Sequence, residues 1–327
     1  MNGRRTILLL GAVAVFGSGV CSGQFRRGGG RGGYGPGTED GPGLIRGEGG
    51  TFINEDTVKT AREAASHSTG TPEWTNPPGF ERDVFTFARV IFKTATAGTT
   101  RPFGPGRGIG PWLGWWVDFP DADLNFSYRL QQLTSTRVDP DGRVLKLSDP
   151  ALTDYPLIYM EHAGYILLSD PEVDILQKYL RNGGALFVND FWSAREWDGF
   201  EAQMKRVLPG RTWTELTTDH PIFHCVFDLK GPMQRLQVPT IQFWNQDFDP
   251  RDPNSHLQRV DRGEGSDKMH VRAWLDDKQR IMALVIHNSD VSDGWEREGE
   301  DSDYFHIFSE KIAYPLGINI IFHLMTH

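Results

Sequence analysis

Short apolar runs alternate with helical patterns along the chain from residue 84 onward. The runs at 157–160 and 185–188 are apolar throughout, which is typical of strands buried on both faces of a sheet. Between them, residues 170–181 begin with Asp-Pro and are followed by Gly183, the usual start and stop signals of a helix. The alternation predicts one α/β domain with insertions: three layers, a mainly parallel sheet and helices on both faces.

The same patterns predict the other elements of the domain. Strands are expected at 84–92, 144–147 and 281–286, a hairpin near 270–275, and helices at 54–65, 123–135, 196–207 and 310–325, the last broken or restarted at Pro315. Short polar side chains cap helix N-termini, so the expected caps are Asn54 for the first helix, Asp121 or Asp123 for the second, and Asp170 for the helix at 170–181.

The N-terminal residues differ in composition from the rest of the chain. Residues 1–23 carry two arginines before an apolar core at 7–16 that is too short to span a bilayer, which predicts a cleaved secretory signal peptide. An uncleaved anchor is the alternative. Residues 24–50 are rich in Gly and Arg and predict a disordered linker, and 51–80 predict a helix and an extended lead-in. The α/β domain is assigned to residues 81–327.

The charge balance limits the partners. The chain has 43 acidic and 34 basic residues, a formal net charge of −9, and removal of the signal peptide takes away Arg4 and Arg5. An acidic domain repels nucleic acid and anionic membrane surfaces, so we expect no nucleic-acid partner. Because the apolar core at 7–16 is short and is removed with the signal peptide, we expect no membrane span in the mature chain. Cys225 is the one cysteine outside the signal peptide, and its apolar neighbours favour a small buried side chain over a nucleophile.

Polar side chains follow three of the expected strands directly. These residues are Glu161 and His162, then Asn189 and Asp190, then His287, Asn288 and Asp290. Ligands of open α/β sheets bind beyond the carboxyl ends of the strands, so the three groups could meet in one crevice suited to acid–base chemistry or metal ligation. The alternative is that each group caps the next element or closes a turn, which Asn and Asp favour.

A second group of polar residues surrounds the helix expected at 123–135. Asp118 and Asp123 precede or open it, and Asn125 and Arg129 lie four residues apart on one face, which we place at the mouth of the crevice. The preceding residues 94–114 are too long for an ordinary connection and are expected to form a functional loop or lid. The tryptophans at 112, 115 and 116 could stack on a ligand or pack in the core.

Two further motifs have both a functional and a structural interpretation. His220 precedes Pro221 and stands four residues before His224, which is too few ligands for a metal site, so His220 is either an acid–base residue or a capping histidine. The acidic run from Asp290 to Asp303 could hold Ca²⁺, although it lacks the EF-hand spacing and a solvated loop is the simpler interpretation. Trp295 within that run favours a ligand-facing role.

Seven segments in order resemble one bacterial family, domain of unknown function 4159. They are Asp118-Phe-Pro-Asp-Ala-Asp-Leu-Asn-Phe-Ser-Tyr-Arg-Leu-Gln-Gln132 and the stretches that begin at Asp83, Tyr155, Tyr179, Asp219, His287 and Tyr314. The resemblance spans about residues 80–327 and implies the α/β domain, but the family has no settled activity. More distantly, the layout is similar to flavodoxin-like and class I glutamine amidotransferase-like domains, including the trehalose-utilisation type.

The amidotransferase resemblance does not extend to the nucleophile. In that layout a strand leads into a sharp turn that carries a cysteine, and here Asn189 and Asp190 stand at that turn, with Ser193 later. A carboxylate or metal mechanism is therefore more plausible than thiol catalysis.

These observations predict an exported protein of the periplasm or cell envelope that binds a small molecule or an envelope protein. The alternative is an exported hydrolase or carbohydrate-active enzyme that uses carboxylate and histidine chemistry, with or without a metal. The candidate catalytic residues are Asp190, His220, Glu161 and His162, and the candidate ligand-binding residues are Asp118, Asp123, Asn125, Arg129, Asn189, Asn288, Asp290 and Trp295. The pattern names no substrate, cofactor or oligomeric state.

Overall fold

The computed structural model describes residues 43–47, 50–79, 83–94, 114–249, 251–252 and 255–327. The expected signal peptide at 1–23, most of the linker at 24–50 and nearly all of the lid at 94–114 lie outside these residues. In the described part of the chain, no helix is both long and apolar enough to cross a membrane.

A seven-stranded, mostly parallel sheet forms the centre of the domain. Its strands are β1 (Ala88–Ile91), β2 (Arg143–Lys146), β3 (Leu157–Glu161), β4 (Ala185–Asn189), β5 (Trp213–Glu215), β6 (His270–Leu275) and β7 (Ile281–His287). Their order is β2-β1-β3-β4-β7-β6-β5; the first five are parallel, and β6 and β5 pair antiparallel to their neighbours. The predicted α/β class and mainly parallel sheet are confirmed.

Helices cover both faces of the sheet. They are α1 (Asp121–Leu133), α2 (Asp170–Arg181), α3 (Ser193–Val207), two short turns α4 (Asp293–Glu296) and α5 (Ser302–Tyr304), and α6 (Tyr314–Thr326). Side chains of β3 alternate between two cores: Ile158 and Met160 pack with α2 and α3, whereas Leu157 and Tyr159 pack with α1 and α6. Burial on both faces explains why the strand is apolar throughout.

The helix α2 has the predicted bounds but a different cap. The N-cap is Ser169 instead of Asp170, and the Glu172 carboxylate accepts hydrogen bonds from both the Ser169 N–H (2.8 Å) and its hydroxyl (2.6 Å). Because this reciprocal arrangement satisfies donors at the helix start, Ser169 is the better cap. The helix ends before Gly183, which adopts a φ of 109°.

Two predictions near the N-terminal part of the domain were wrong. Residues 54–65 do not form a helix: Phe52–Asn54 is a strand paired with Leu44–Arg46, and one 3₁₀ turn follows at Ala61–Glu63. Asn54 Oδ1 accepts from Asp56 N (3.0 Å), so the residue closes a turn after the strand instead of capping a helix.

The cap predicted for α1 was also wrong. Its N-cap is Pro120, and Asp121 and Asp123 both lie inside the first helical turn. Each has another partner: Asp121 accepts from Ser66 and from the backbone of His67, and Asp123 pairs with Arg89. Both aspartates therefore bind residues distant in the sequence instead of capping α1 as the sequence had suggested.

The C-terminal helix begins earlier than predicted. A π-helical segment at Phe305–Ala313 leads without a break into α6, and Pro315 lies in the first turn of α6. Proline lacks an N–H and crowds the preceding turn, which the wider π geometry accommodates. Cys225, expected to be buried, is exposed, and its Sγ lies 3.2 Å from Asn319 O. That prediction was wrong because only Ile222 and Phe223 of the apolar run are buried, and the chain that follows them, including Val226, lies at the surface.

Candidate functional site at the carboxyl ends of the parallel strands

Three parallel strands end side by side in polar residues. Glu161 closes β3, Asn189 closes β4, and the chain after β7 continues into Asn288 and Asp290. The His162 N–H donates to Asn189 O (3.0 Å), which joins the ends of β3 and β4. All five residues are buried. The structure therefore brings the strand-end residues into one region.

A buried arginine places Asp118 at the same edge of the sheet. Arg89 of β1 donates through Nη1 to Trp115 O (2.8 Å) and Val117 O (2.9 Å), and through Nε to Asp123 (2.9 Å). These bonds fix the backbone immediately before Asp118, which is 3% exposed. Oδ2 of Asp118 is buried and has no hydrogen-bond partner among the described residues.

Six buried carboxyl groups meet here, and we call them the carboxylate cluster. They are Asp118, Glu161, Asp190, Asp290, Asp293 and Glu296. In two sets of three, one ligand oxygen from each residue lies within 4.8 Å of the others: Asp118 with Asp190 and Asp290, and Asp118 with Asp293 and Glu296. Hard divalent cations such as Mg²⁺, Mn²⁺ and Ca²⁺ prefer oxygen ligands at this kind of spacing.

The interpretation of the acidic run as a solvated loop was wrong for its first half. Asp290, Asp293 and Glu296 are buried, whereas Glu300 and Asp303 are exposed. The short helix α4 packs against α1 and is buried, so Asp293 and Glu296 lie inside the domain.

Burial and mutual repulsion raise the pKa of most cluster residues. For Asp118, burial is the main cause and the negative charges of Glu296 and Asp293 add to it, so its pKa lies well above the ordinary value. Burial, with the charge of Asp190, raises the pKa of Asp290 to about 7. The pKa values of Glu161 and Asp293 are raised chiefly by burial as well. The cluster therefore binds protons readily, or another cation in their place.

The pKa of Asp190 differs from that of its neighbours because a histidine is hydrogen-bonded to its carboxylate. The Nδ1 atom of His162 lies 3.0 Å from Asp190 Oδ2, and Trp192 Nε1 donates to Asp190 Oδ1 (2.7 Å). Burial alone would raise the pKa of Asp190, but the hydrogen bond and charge of His162 outweigh it and lower that pKa. Burial opposes protonation of His162, yet Asp190 raises its pKa overall. The other ring nitrogen, Nε2, is buried and has no hydrogen-bond partner in the part of the chain that the structure describes.

Strained backbone is concentrated at the same place. Among the described non-glycine residues, positive φ angles occur at Asp118 (58°), His162 (51°), Asp190 (49°), Ser193 (73°), Gln279 (67°) and Asn288 (60°). All except Gln279 belong to the strand ends or contact them, since Ser193 N donates to Asn288 Oδ1 (2.8 Å). Left-handed backbone costs free energy for such residues and is typical of functional sites.

The family model for a domain of unknown function (DUF4159) matches residues 112–325. The chain belongs to this family. The matched residues include the whole carboxylate cluster and His162, so the site is part of the DUF4159 domain itself. No curated protein matches the chain.

Several candidate residues hold the DUF4159 domain together around the site. Asn125 Nδ2 donates to Trp295 O (2.8 Å), and Arg129 pairs with Glu298 (2.7 Å). Trp295 is fully buried and packs on Phe126, with ring centroids 4.5 Å apart. These residues anchor the segment that carries Asp293 and Glu296.

Two candidate histidines have contacts outside the cluster. His220 Nδ1 accepts from Ile222 N (3.2 Å), and its ring packs on His323 of α6 at 5.2 Å between centroids. His287 Nε2 lies 3.0 Å from Ser193 O, and burial lowers the pKa of His287 to about 3. The described structure does not bring His220 to the carboxylates.

Sequence reasoning missed part of the site. Asp293 and Glu296 were recognised only as members of an acidic run, and Arg262 and His67 gave no signal at all. Arg262 stacks on Trp192, and its charge acts on Asp190 and His162. His67 contacts both Asp121 and Glu296 from the lead-in segment. Local patterns in the sequence do not indicate contacts between residues that lie this far apart along the chain.

Proposed function

We propose that the carboxylate cluster binds a divalent cation together with an oxygen-rich ligand, and that the domain hydrolyses this ligand. The observation that carries the proposal is Asp118, which contributes a carboxylate oxygen to a group with Asp190 and Asp290 and whose buried Oδ2 has no hydrogen-bond partner among the described residues. Three carboxylates in one set match the needs of a hard cation that retains positions for water and ligand.

The balance of charge supports a cation. Within the described residues, Arg297 and His67 contact Glu296, and His162 contacts Asp190. Arg262 acts on Asp190 and Asp290 through its charge, but His67 is shared with Asp121. These basic groups are fewer than the six buried carboxyl groups, and burial of an uncompensated charge is costly. At low pH, protonation of the carboxylates removes this cost. At neutral pH, a bound divalent cation would offset it.

The pair of His162 and Asp190 supports hydrolysis. Asp190 accepts from Nδ1, which orients the ring and leaves Nε2 available as a general base. In the proposed reaction, Nε2 of His162 takes one proton from a water molecule while the oxygen of that water molecule attacks the ligand. The bond to the leaving group breaks, and the proton is passed to that group. Water is the only co-reactant.

A ligand-binding domain without catalysis is the second candidate. The observation that favours it is the turn after β4, where Asn189 and Asp190 stand and no cysteine or serine follows until Ser193. The cation would then fasten a ligand or an envelope protein to the domain without turnover.

A flavodoxin-like or amidotransferase-like arrangement is proposed for the fold. What supports it is the order of the parallel strands, β2-β1-β3-β4-β7, which is the 2-1-3-4-5 order of doubly wound sheets. In that order successive strands are added in one direction from β1 to β2 and in the other direction from β3 onward, and ligands of such sheets bind at the switch point between β1 and β3. Asp118, after β1, and Glu161, at the end of β3, stand at this switch point.

Export to the periplasm or cell envelope is also proposed. It rests on the basic and apolar pattern of residues 1–23. Cell fractionation with N-terminal sequencing of the recovered protein tests it; an intact N-terminus on cytoplasmic protein would rule it out.

The proposed function is tested with Mn²⁺, whose binding is measured by electron paramagnetic resonance and calorimetry. Hydrolysis of a panel of phosphate and carboxylate esters is then assayed with and without the metal. The variant His162→Asn keeps a donor near Asp190 and tolerates the left-handed backbone, but it lacks Nε2.

We expect His162→Asn to retain Mn²⁺ binding and to lose kcat by about 10²- to 10⁴-fold. Metal binding without turnover of any ester would favour the non-catalytic candidate. Failure of the wild-type protein to bind Mn²⁺ would refute the cation site.

A further inference from the structure

A cavity of about 280 Å³ lies beneath the loop at 256–267. Its wall is partly apolar, through Leu257 and Val260, and partly polar, and it carries two arginines, Arg259 and Arg262, as well as two aspartates, Asp261 and Asp267. The volume is sufficient for a small ligand or for one part of a larger one.

The cavity is joined to the carboxylate cluster through Asn288. Gln237 Nε2 donates to Asn288 O (2.6 Å) from the cavity wall. Asn288 Nδ2 donates in turn to Gly265 O (2.8 Å) and Lys268 O (2.6 Å) of the loop. Because Asn288 lies between β7 and Asp290, these bonds hold the cavity beside the site.

Arg262 is positioned between the cavity and the cluster. Its guanidinium carbon lies 4.9 Å from the ring centroid of Trp192, and Trp192 Nε1 donates to Asp190 Oδ1 (2.7 Å). Among the described residues, the Arg262 side chain has no hydrogen bond or ion pair, although its face is stacked. Stacking orients the planar group and leaves its N–H donors at the edge available.

Other lining residues agree with a polar ligand. Gln258 Oε1 is buried and has no donor among the described residues, so it can accept from a ligand hydroxyl. Asp261 also lines the cavity, but its Oδ1 accepts from Gly263 N (2.8 Å) and Ser266 Oγ (3.3 Å). The Asp261 carboxylate therefore stabilises the loop that carries it.

We propose that this cavity binds an anionic group of the substrate, a phosphate or a carboxylate, through the guanidinium of Arg262. The inference rests on the proposed function in one respect: the bond to be cleaved lies at the neighbouring carboxylate cluster. A guanidinium binds either anion through two parallel N–H donors, so the two sources share one chemistry.

The test uses metal-free protein, so that anion binding is separated from the cation. Binding of inorganic phosphate and of acetate is measured by calorimetry for the wild type and for Arg262→Gln. The matched control is Arg259→Gln, which removes another arginine of the same cavity, one that donates to Gln246 (3.3 Å). Mn²⁺ binding is measured on all three proteins.

We expect Arg262→Gln to weaken anion binding by about tenfold or more and Arg259→Gln to leave it nearly unchanged. Tighter binding of phosphate identifies a phosphate ester as the substrate class, and tighter binding of acetate identifies a carboxylated one. Equal anion affinity in Arg262→Gln and the wild type, or no anion binding by the wild type, would overturn the inference. If the wild type binds the anion but does not bind Mn²⁺, that result would count against the proposed function and not against the anion site.

Discussion

Arg89 and Asp123 form a buried ion pair whose side chains are 0% and 1% exposed, with Arg89 Nη2 2.5 Å from Asp123 Oδ1. The same arginine holds the carbonyl oxygens of Trp115 and Val117. The pair thus connects β1 to α1 and fixes the backbone that presents Asp118. Asp123, a candidate ligand by sequence, has a structural partner on each of its oxygens.

The first prediction concerns this pair. Arg89→Met leaves the Asp123 carboxylate buried without its partner, so we expect the free energy of unfolding to fall by about 3–5 kcal/mol. Urea unfolding measures the change. The double variant Arg89→Met with Asp123→Leu removes both charges and should recover the part of the loss that comes from the unpaired carboxylate, while the carbonyl oxygens of Trp115 and Val117 still lack their donor. A loss no larger than that of an ordinary surface substitution would show that the pair is not structural.

The second prediction concerns Asp118. Asparagine tolerates its left-handed backbone, so Asp118→Asn removes the charge with little strain. We expect Mn²⁺ affinity to fall by at least about tenfold, because both sets of ligand oxygens include Asp118. Asp174→Asn, on the exposed face of α2, is the matched control. Unchanged Mn²⁺ affinity in Asp118→Asn would place the cation elsewhere.

The third prediction concerns pH. The raised pKa values of Asp118 and Asp290, the latter about 7, mean that the folded state holds protons that the unfolded state releases. Both contributions to stability are complete below the ordinary carboxyl pKa; that of Asp290 is lost as pH rises through about 7, and that of Asp118 as pH rises through its own raised pKa. Metal-free wild type should therefore lose more stability than Asp118→Asn between pH 5 and pH 8.

Thermal melts at the two pH values measure this difference, at about 2–4 °C per kcal/mol for a domain of this size. Titrations common to both proteins, such as that of His287, cancel in the comparison. Added Mn²⁺ should raise the Tm of the wild type more at pH 8 than at pH 5, since protons no longer compete for the carboxylates. An equal pH dependence in the two proteins would contradict the raised pKa of Asp118.

The sequence predicted the sheet because its central strands carry an unambiguous pattern. An apolar run such as that ending at Met160 can be buried on both faces only inside a parallel sheet, so the polar residues after it must lie at the sheet edge. That reasoning located Glu161, Asp190 and Asp290. It depended on local sequence alone and on one general rule about strand ends.

The remaining site residues are set by contacts distant in sequence. Asp293 and Glu296 become part of the site only because α4 packs against α1, where Asn125, 170 residues earlier in the chain, donates to Trp295 O. Asn54 was assigned to a helix because its capping propensity was visible, whereas its strand partner at Leu44–Arg46 was not. Local patterns do not report such pairings, because the competing structures differ only in tertiary contacts.

The last prediction concerns His67, which connects the lead-in segment to the site. Its Nδ1 lies 2.9 Å from Asp121 Oδ2, and its Nε2 contacts Glu296. Burial opposes a charge on this ring, but hydrogen bonds to the two carboxylates raise its pKa to about 10. The stabilisation is complete below the ordinary histidine pKa and is lost as pH rises through about 10. His67→Gln should therefore destabilise the protein at pH 7 and matter much less above pH 10, as measured by urea unfolding at both pH values. His306→Gln, which removes an exposed pair with Glu310, is the control and should change little at either pH. An equal loss for His67→Gln at both pH values would mean that His67 acts through packing and not through its charge.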